Sequence, residues 1–374
     1  MGSFRLLLAA AVMLGHFAPL YPQHLPYLMS SSAAVPAFYI VSGFLITLVL
    51  REKYRDRTGL FYSNRALRIF PLYWAALAIY LLVNWLVVDG HLPGDPAYPG
   101  ASALWWWQRH HAENGIIATA LLVLSNIAIV GQDMVLFIGK WPNLLNRDYF
   151  YHLFMYVGPA WTIEVEFCFY AIAPFVVRRG IIWPITLLAA SLGARLIAVF
   201  SGSTGYIESY DFPPFEMTFF MAGSLAYRAY GYLRTQKSRW VSAYSFAACA
   251  TIGLLSVFYL FIPFARPIYL LAVCICLPGI VLVGRRNPLD NVCGELSYPV
   301  YLLHAVFTLW IIPGVTVWAE IIAVLATLGI STMLVFGIDR PIEAIRQRRA
   351  ERSARTDVLT VGQATLAAGR SGWH

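Results

Sequence analysis

The sequence predicts an all-α polytopic membrane protein, with about ten transmembrane helices around a central cavity, eleven as the alternative, and both termini cytoplasmic. Three observations carry this. Of 374 residues, 59% are hydrophobic and 12% charged, and the mean hydropathy of +0.63 leaves too little polar surface for a water-soluble chain of this length. Eleven apolar runs follow one another with short connections. Between them, basic residues cluster as they do in loops held on one side of a bilayer.

The runs cover residues 4–22, 34–50, 69–88, 116–130, 154–177, 181–200, 216–233, 241–262, 267–284, 293–312 and 316–337. The first is interrupted by His16 and followed by no clean small-x-small site, so it reads as a span and not as a cleavable leader. Arg51, Lys53, Arg55, Arg57, Arg65 and Arg68 fall between the second and third runs, and further basic groups sit at Arg178/Arg179, Arg234 to Arg239, Arg285/Arg286 and after Arg340. All of these share the cytoplasmic side only if one run fails to cross. The 116–130 run is the shortest, below the roughly 20 residues a span needs, and polar stretches flank it; it reads as re-entrant or buried in the bundle.

Residues 1–340 therefore form one membrane domain and 341–374 a basic cytoplasmic tail, which suits either a helix on anionic lipid or a disordered segment. The excess of 27 Lys and Arg over 19 Asp and Glu reads as topology, so the expected partner is the bilayer and not nucleic acid. Five cysteines lie in or beside apolar runs without CxxC spacing or a His partner; neither a disulfide nor a metal site is expected.

Function is sought in the polar residues inside the membrane, where an ionisable side chain costs about 2.5–3.5 kcal/mol. His16, Glu166 and His304 fall near mid-depth of their runs and are placed together in one cavity. Arg5 and His16 are eleven residues apart, which returns to within about 20° of the same helix face and separates them by about 16 Å along it. Alone, the pair has a plain reading as a topology anchor and a helix-contact histidine. Arg65 and Arg68, spaced i and i+3 in RALRIFPLYW, supply a second basic pair suited to phosphate.

In WTIEVEFCFY, Thr162, Glu166 and Tyr170 share a face, whereas Glu164 points elsewhere and reads as a helix-interface hydrogen bond. Glu166, or another acceptor, is expected to orient His16; with Glu166 the two would form a base-orienter pair. In SYPVYLLH, Tyr301 and His304 share a face after Pro299 and line the same cavity, as do Tyr73 and Trp161 of the two preceding blocks. Ser42 and Gly43, mid-helix in FYIVSGF, allow close approach: Ser42 is assigned to the ligand and Gly43 to helix packing. Trp105, Trp106 and Trp107 read as an interfacial belt in preference to a sugar platform.

These residues resemble acyltransferase family 3, integral membrane enzymes that O-acylate extracytoplasmic sugars. The matching blocks are RLLLAAAVMLGH, FYIVSGFLI, RALRIFPLYW, WTIEVEFCFY, FFMAGSLAY, LSYPVYLLH and DRPIEAIRQR, in the family's order from residue 5 to residue 348. The resemblance implies transfer of an acyl group, most often acetyl, from acyl-CoA as co-substrate to a hydroxyl of a glycan such as exopolysaccharide, capsule or O-antigen, in the bacterial inner membrane. It makes His16 the catalytic histidine, Arg5 its partner, Arg65 and Arg68 the CoA contacts, and Glu166 the family's acidic position, with Thr162 and Ile163 departing from the usual Ser-Leu. It is to the stand-alone type, without an extracytoplasmic esterase-like domain. The alternative is a proton-coupled transporter or flippase of a lipid-linked sugar; neither an inverted repeat nor paired broken helices favour it.

Overall fold

The computed structural model describes residues 1–16, 29–92, 102–113, 115–132, 151–201, 212–284, 287–310 and 317–353. The Arg285/Arg286 pair and most of the basic tail lie outside these residues. Among them there is no strand, and twelve helices of eight residues or more follow one another: α1 (Gly2–His16), α2 (Ser31–Glu52), α3 (Thr58–Val88), α4 (Ala103–His110), α5 (Ile116–Ala128), α6 (Trp161–Val176), α7 (Ile182–Phe200), α8 (Pro213–Leu233), α9 (Arg239–Val257), α10 (Ala265–Gly284), α11 (Pro288–Leu303) and α12 (Val317–Leu334).

Six of these helices are long and apolar enough to cross a membrane: α2, α3, α7, α9, α10 and α12, the last continuous over Trp318–Ser353. Large apolar side chains stand exposed along the outer helices, among them Phe200, Phe246, Leu271 and Met333. In a chain this apolar, such a surface fits lipid as its solvent. The protein is a multi-pass helical membrane protein.

α2 is the most buried helix, and its contact with α8 is backbone on backbone. A Cβ on Gly43 would sit 2.0 Å from the Phe220 carbonyl oxygen, and one on Gly223 would sit 1.9 Å from that of Ile40. Only a residue without a side chain permits that approach at either position, so the packing role expected of Gly43 has its counterpart in Gly223.

The basic residues that follow α2, α6 and α8 gather at one end of the bundle. Arg51 at the end of α2 donates to the carbonyls of Val177 (2.8 Å) and Arg179 (2.7 Å) just beyond α6. Arg178 donates to the Thr58 hydroxyl (2.7 Å) at the start of α3, and Arg234 beyond α8 pairs with Glu52 at 2.5 Å. At α1, the Asp290 carboxylate of α11 accepts from the backbone N–H of Gly2 (2.8 Å) and of Ser3 (2.8 Å) and from the Ser3 hydroxyl (2.8 Å). Asp290 thereby caps a helix that supplies no N-cap of its own, from 288 residues away.

α5 departs from expectation in one respect. It has 13 residues, about 20 Å of rise. Its C-terminal end rests halfway along α3, where Tyr73 donates to the Asn126 carbonyl and Trp74 Nε1 to that of Ile127 at 3.0 Å. It is not buried in the bundle: Ile117, Leu121, Leu124 and Ile127 are exposed. A helix so apolar need not hide from lipid, and only its polar Ser125 and Asn126 must turn inward to find partners. The break after it is tight, with Ile129 in the left-handed region at φ 62°.

Candidate active site

A cavity of about 180 Å³ lies between α1, α2, α3, α6 and α11. Its walls bring together most of the residues singled out from the sequence: Arg5, Ser42, Arg65, Arg68, Thr162, Glu166, Tyr170 and Tyr301. The helical period explains the agreement for Arg65 with Arg68 and for Thr162 with Glu166 and Tyr170, which share faces of single helices. Tyr298 and Ser297, one turn before Tyr301, also line the cavity and were missed, although Tyr298 falls on the same i, i+3 row.

The polar groups are ordered along the cavity. Arg5, Arg65 and Arg68 are its cations, and Arg5 lies within electrostatic reach of Arg68, Glu166 and Tyr170. Next comes Glu166, whose carboxylate accepts from the Ser42 hydroxyl. At the cavity's other end the Tyr301 hydroxyl donates to Thr162 Oγ1 at 3.0 Å, joining α11 to α6.

Beyond Tyr301 lies a histidine pair. His304, 1% exposed, holds its Nδ1 2.5 Å from the Tyr301 carbonyl, and its ring centroid is 5.0 Å from that of His16. His16, the last residue of α1, is exposed and holds its own Nδ1 2.8 Å from the Val12 carbonyl. A carbonyl oxygen only accepts, so both imidazoles donate from Nδ1 and leave Nε2 outside these bonds. That of His304 is buried with no hydrogen-bond partner among the described residues.

Three placements correct the sequence reading. Glu166 does not orient His16: it pairs with Ser42 deep in the cavity, while the ring beside His16 is that of His304. Helix faces fix which residues of one helix align, but not which helix stands opposite. His16, the last residue of α1, is exposed and not enclosed in the cavity. Tyr73, Trp161, His304 and His16 are not among the residues that line the cavity; Tyr73 is fully buried and ties α3 to α5, and His304 sits behind Tyr301, whose carbonyl it meets. Glu164 accepts from the Gly131 N–H at 2.5 Å, the interface bond expected of it.

The three tryptophans are packed: Trp107 Nε1 donates to the Phe154 carbonyl at 3.0 Å, Trp106 stacks on His110 and Trp105 takes Arg109 over its ring at 4.3 Å. A family model described as an acyltransferase domain matches residues 3–339, nearly the whole chain. The chain belongs to acyltransferase family 3. Comparison with curated proteins and with solved structures gives no match. For an acyltransferase the arrangement has a chemical logic, since a cluster of arginines suits an anionic group and an imidazole suits removal of a proton.

Proposed function

We propose that this membrane acyltransferase moves an acyl group, with acetyl as the first candidate, from cytoplasmic acyl-CoA to a hydroxyl of an extracytoplasmic glycan such as exopolysaccharide, capsule or O-antigen. The observation that carries the reading is one cavity that holds Arg5, Arg65 and Arg68 together with Glu166, Ser42 and Tyr301, and a histidine pair next to it, His304 on the Tyr301 carbonyl and His16 beside His304. The basic end is taken as cytoplasmic, with α1 to α3 and α6 to α12 making ten crossings of a bacterial inner membrane, α5 re-entrant and both termini inside.

In this reading the CoA phosphates dock on the three arginines and the pantetheine arm runs up the cavity. His16 Nε2 takes the proton of the acceptor hydroxyl, the oxygen attacks the thioester carbonyl, and the C–S bond breaks to release CoA, whose sulfur takes up a proton. Glu166 and Ser42 belong to the donor's passage. His304 takes the place beside His16 that the sequence assigned to Glu166.

The test is release of CoA and labelling of glycan by radiolabelled acetyl-CoA in membranes containing the wild type, His16→Ala or Arg68→Ala. His16→Ala, inserted and folded, is expected to abolish labelling, and Arg68→Ala to raise the KM for acetyl-CoA with little change in kcat. Labelling that persists without His16 overturns the proposal.

A further inference from the structure

α12 does not end at the membrane-like part of the bundle. It passes through a π-helical turn at Val335–Asp339 and runs on unbroken to Ser353, returning to the N-terminal end of α3, where Arg349 donates to the Ser63 hydroxyl at 3.0 Å. Just inside that contact lies Arg346, 5% exposed. Its guanidinium pairs with Glu343, and its Nε is buried with no partner among the described residues; the Nε of Arg65 is in the same state. Arg346 is within electrostatic reach of both Arg68 and Arg65.

This is an unusual place for a buried cation. Packing a guanidinium beside two others is unfavourable unless opposite charge compensates them, and desolvation adds several kcal/mol per ion. Glu166 and Asp339 lie within electrostatic reach of Arg5, Asp339 also within reach of Arg68 and Arg346, and Glu343, which pairs with Arg346, is 38% exposed. Glu295, the next carboxylate on this side, is committed to Arg340 at 3.0 Å. Among the described residues, the Nε atoms of both Arg65 and Arg346 are buried donors left open.

We propose that Arg346, through the buried side of its helix, is a fourth phosphate-binding residue beside Arg65 and Arg68. The ligand chemistry is a diphosphate or a polyphosphorylated carrier, which suits the planar donor fork of arginine. The helix that carries Arg346 runs on from the π turn and touches α3 through the Arg349–Ser63 bond. The assignment to CoA rests on the donor reading above, whereas that to an anion does not.

Binding of CoA and of inorganic pyrophosphate to the purified full chain tests it, with wild type, Arg346→Ala, Arg346→Lys and Arg348→Ala compared. Arg348 is exposed on the same helix and serves as the charge control. Arg346→Ala is expected to weaken both probes about tenfold or more, the loss of one charge-assisted hydrogen bond. Arg346→Lys is expected to recover part of this, and Arg348→Ala to bind as wild type. Should the alanine variant unfold, Arg346→Gln replaces it. Affinities unchanged at position 346, or lost equally at 348, overturn the proposal and leave Arg346 a strut between α12 and α3. Wild type that binds pyrophosphate but not CoA upholds the anion site and overturns the donor reading; binding of neither overturns both.

Discussion

The imidazole rings of His16 and His304 lie 5.0 Å apart, tilted by 56°, one at the exposed end of α1 and the other buried on the element that follows α11. Each Nδ1 is held by a carbonyl of its own helical turn, so the ring orientations are set locally and the Nε2 atoms are left for chemistry. If His304 positions His16 or shares its proton, His304→Ala is expected to lower kcat ten- to a hundredfold with the KM for acyl-CoA unchanged. His304→Gln, which keeps a hydrogen-bonding group, is expected to lie between them. Steady-state kinetics on purified protein decide this, and an equal fall in all parameters would assign His304 to packing.

Ser42 and Glu166 are joined across 124 residues and share the cavity with Arg5. Their substitution is expected to be non-additive. Ser42→Ala and Glu166→Gln should each weaken CoA binding, and the double variant should do little more than the worse single one, with a coupling of about 1 kcal/mol. Additive losses, read by titration calorimetry, would show that the two act separately.

Gly43 and Gly223 are predicted to be intolerant of even one methyl group. A Cβ at either meets a backbone carbonyl carbon and oxygen of the other helix, atoms that cannot move aside as a side-chain tip can. Gly43→Ala and Gly223→Ala should each cost about 1–3 kcal/mol, seen as a lowered thermal midpoint in detergent. Gly193→Ala on α7, where nothing lies within 4 Å, should be neutral or slightly stabilising.

Asp290 holds the start of α1 by three hydrogen bonds to Gly2 and Ser3. Asp290→Ala is expected to cost about 1–2 kcal/mol and, because Arg5 is only a turn away, to raise the KM for the donor as well. Asp290→Asn keeps an acceptor and should lose less. A midpoint and KM equal to wild type in the alanine variant would mean that α1 is held by its packing against α11 alone.

Much of the site was legible because its signals are local. The 3.6-residue period puts Arg65 with Arg68, and Thr162 with Glu166 and Tyr170, whatever surrounds them, and all five line the cavity. Trp161 and Tyr73 were misassigned for the same reason in reverse: membership of a polar block does not say which side of the helix faces the cavity. Arg346 was hidden in what read as a tail, since nothing local distinguishes a buried arginine from the exposed Arg348 two residues on.

The sequence by itself determined a helical bundle in lipid, its basic end and the faces on which its polar residues lie, because hydropathy and helical period act within one segment. Only the tertiary structure decided that Glu166 meets Ser42, that His16 meets His304 and that Arg346 returns to Arg68. Those meetings depend on which helices stand side by side. That choice is made by close contacts such as Gly43 against Gly223, which join segments 180 residues apart and leave no periodic trace in either.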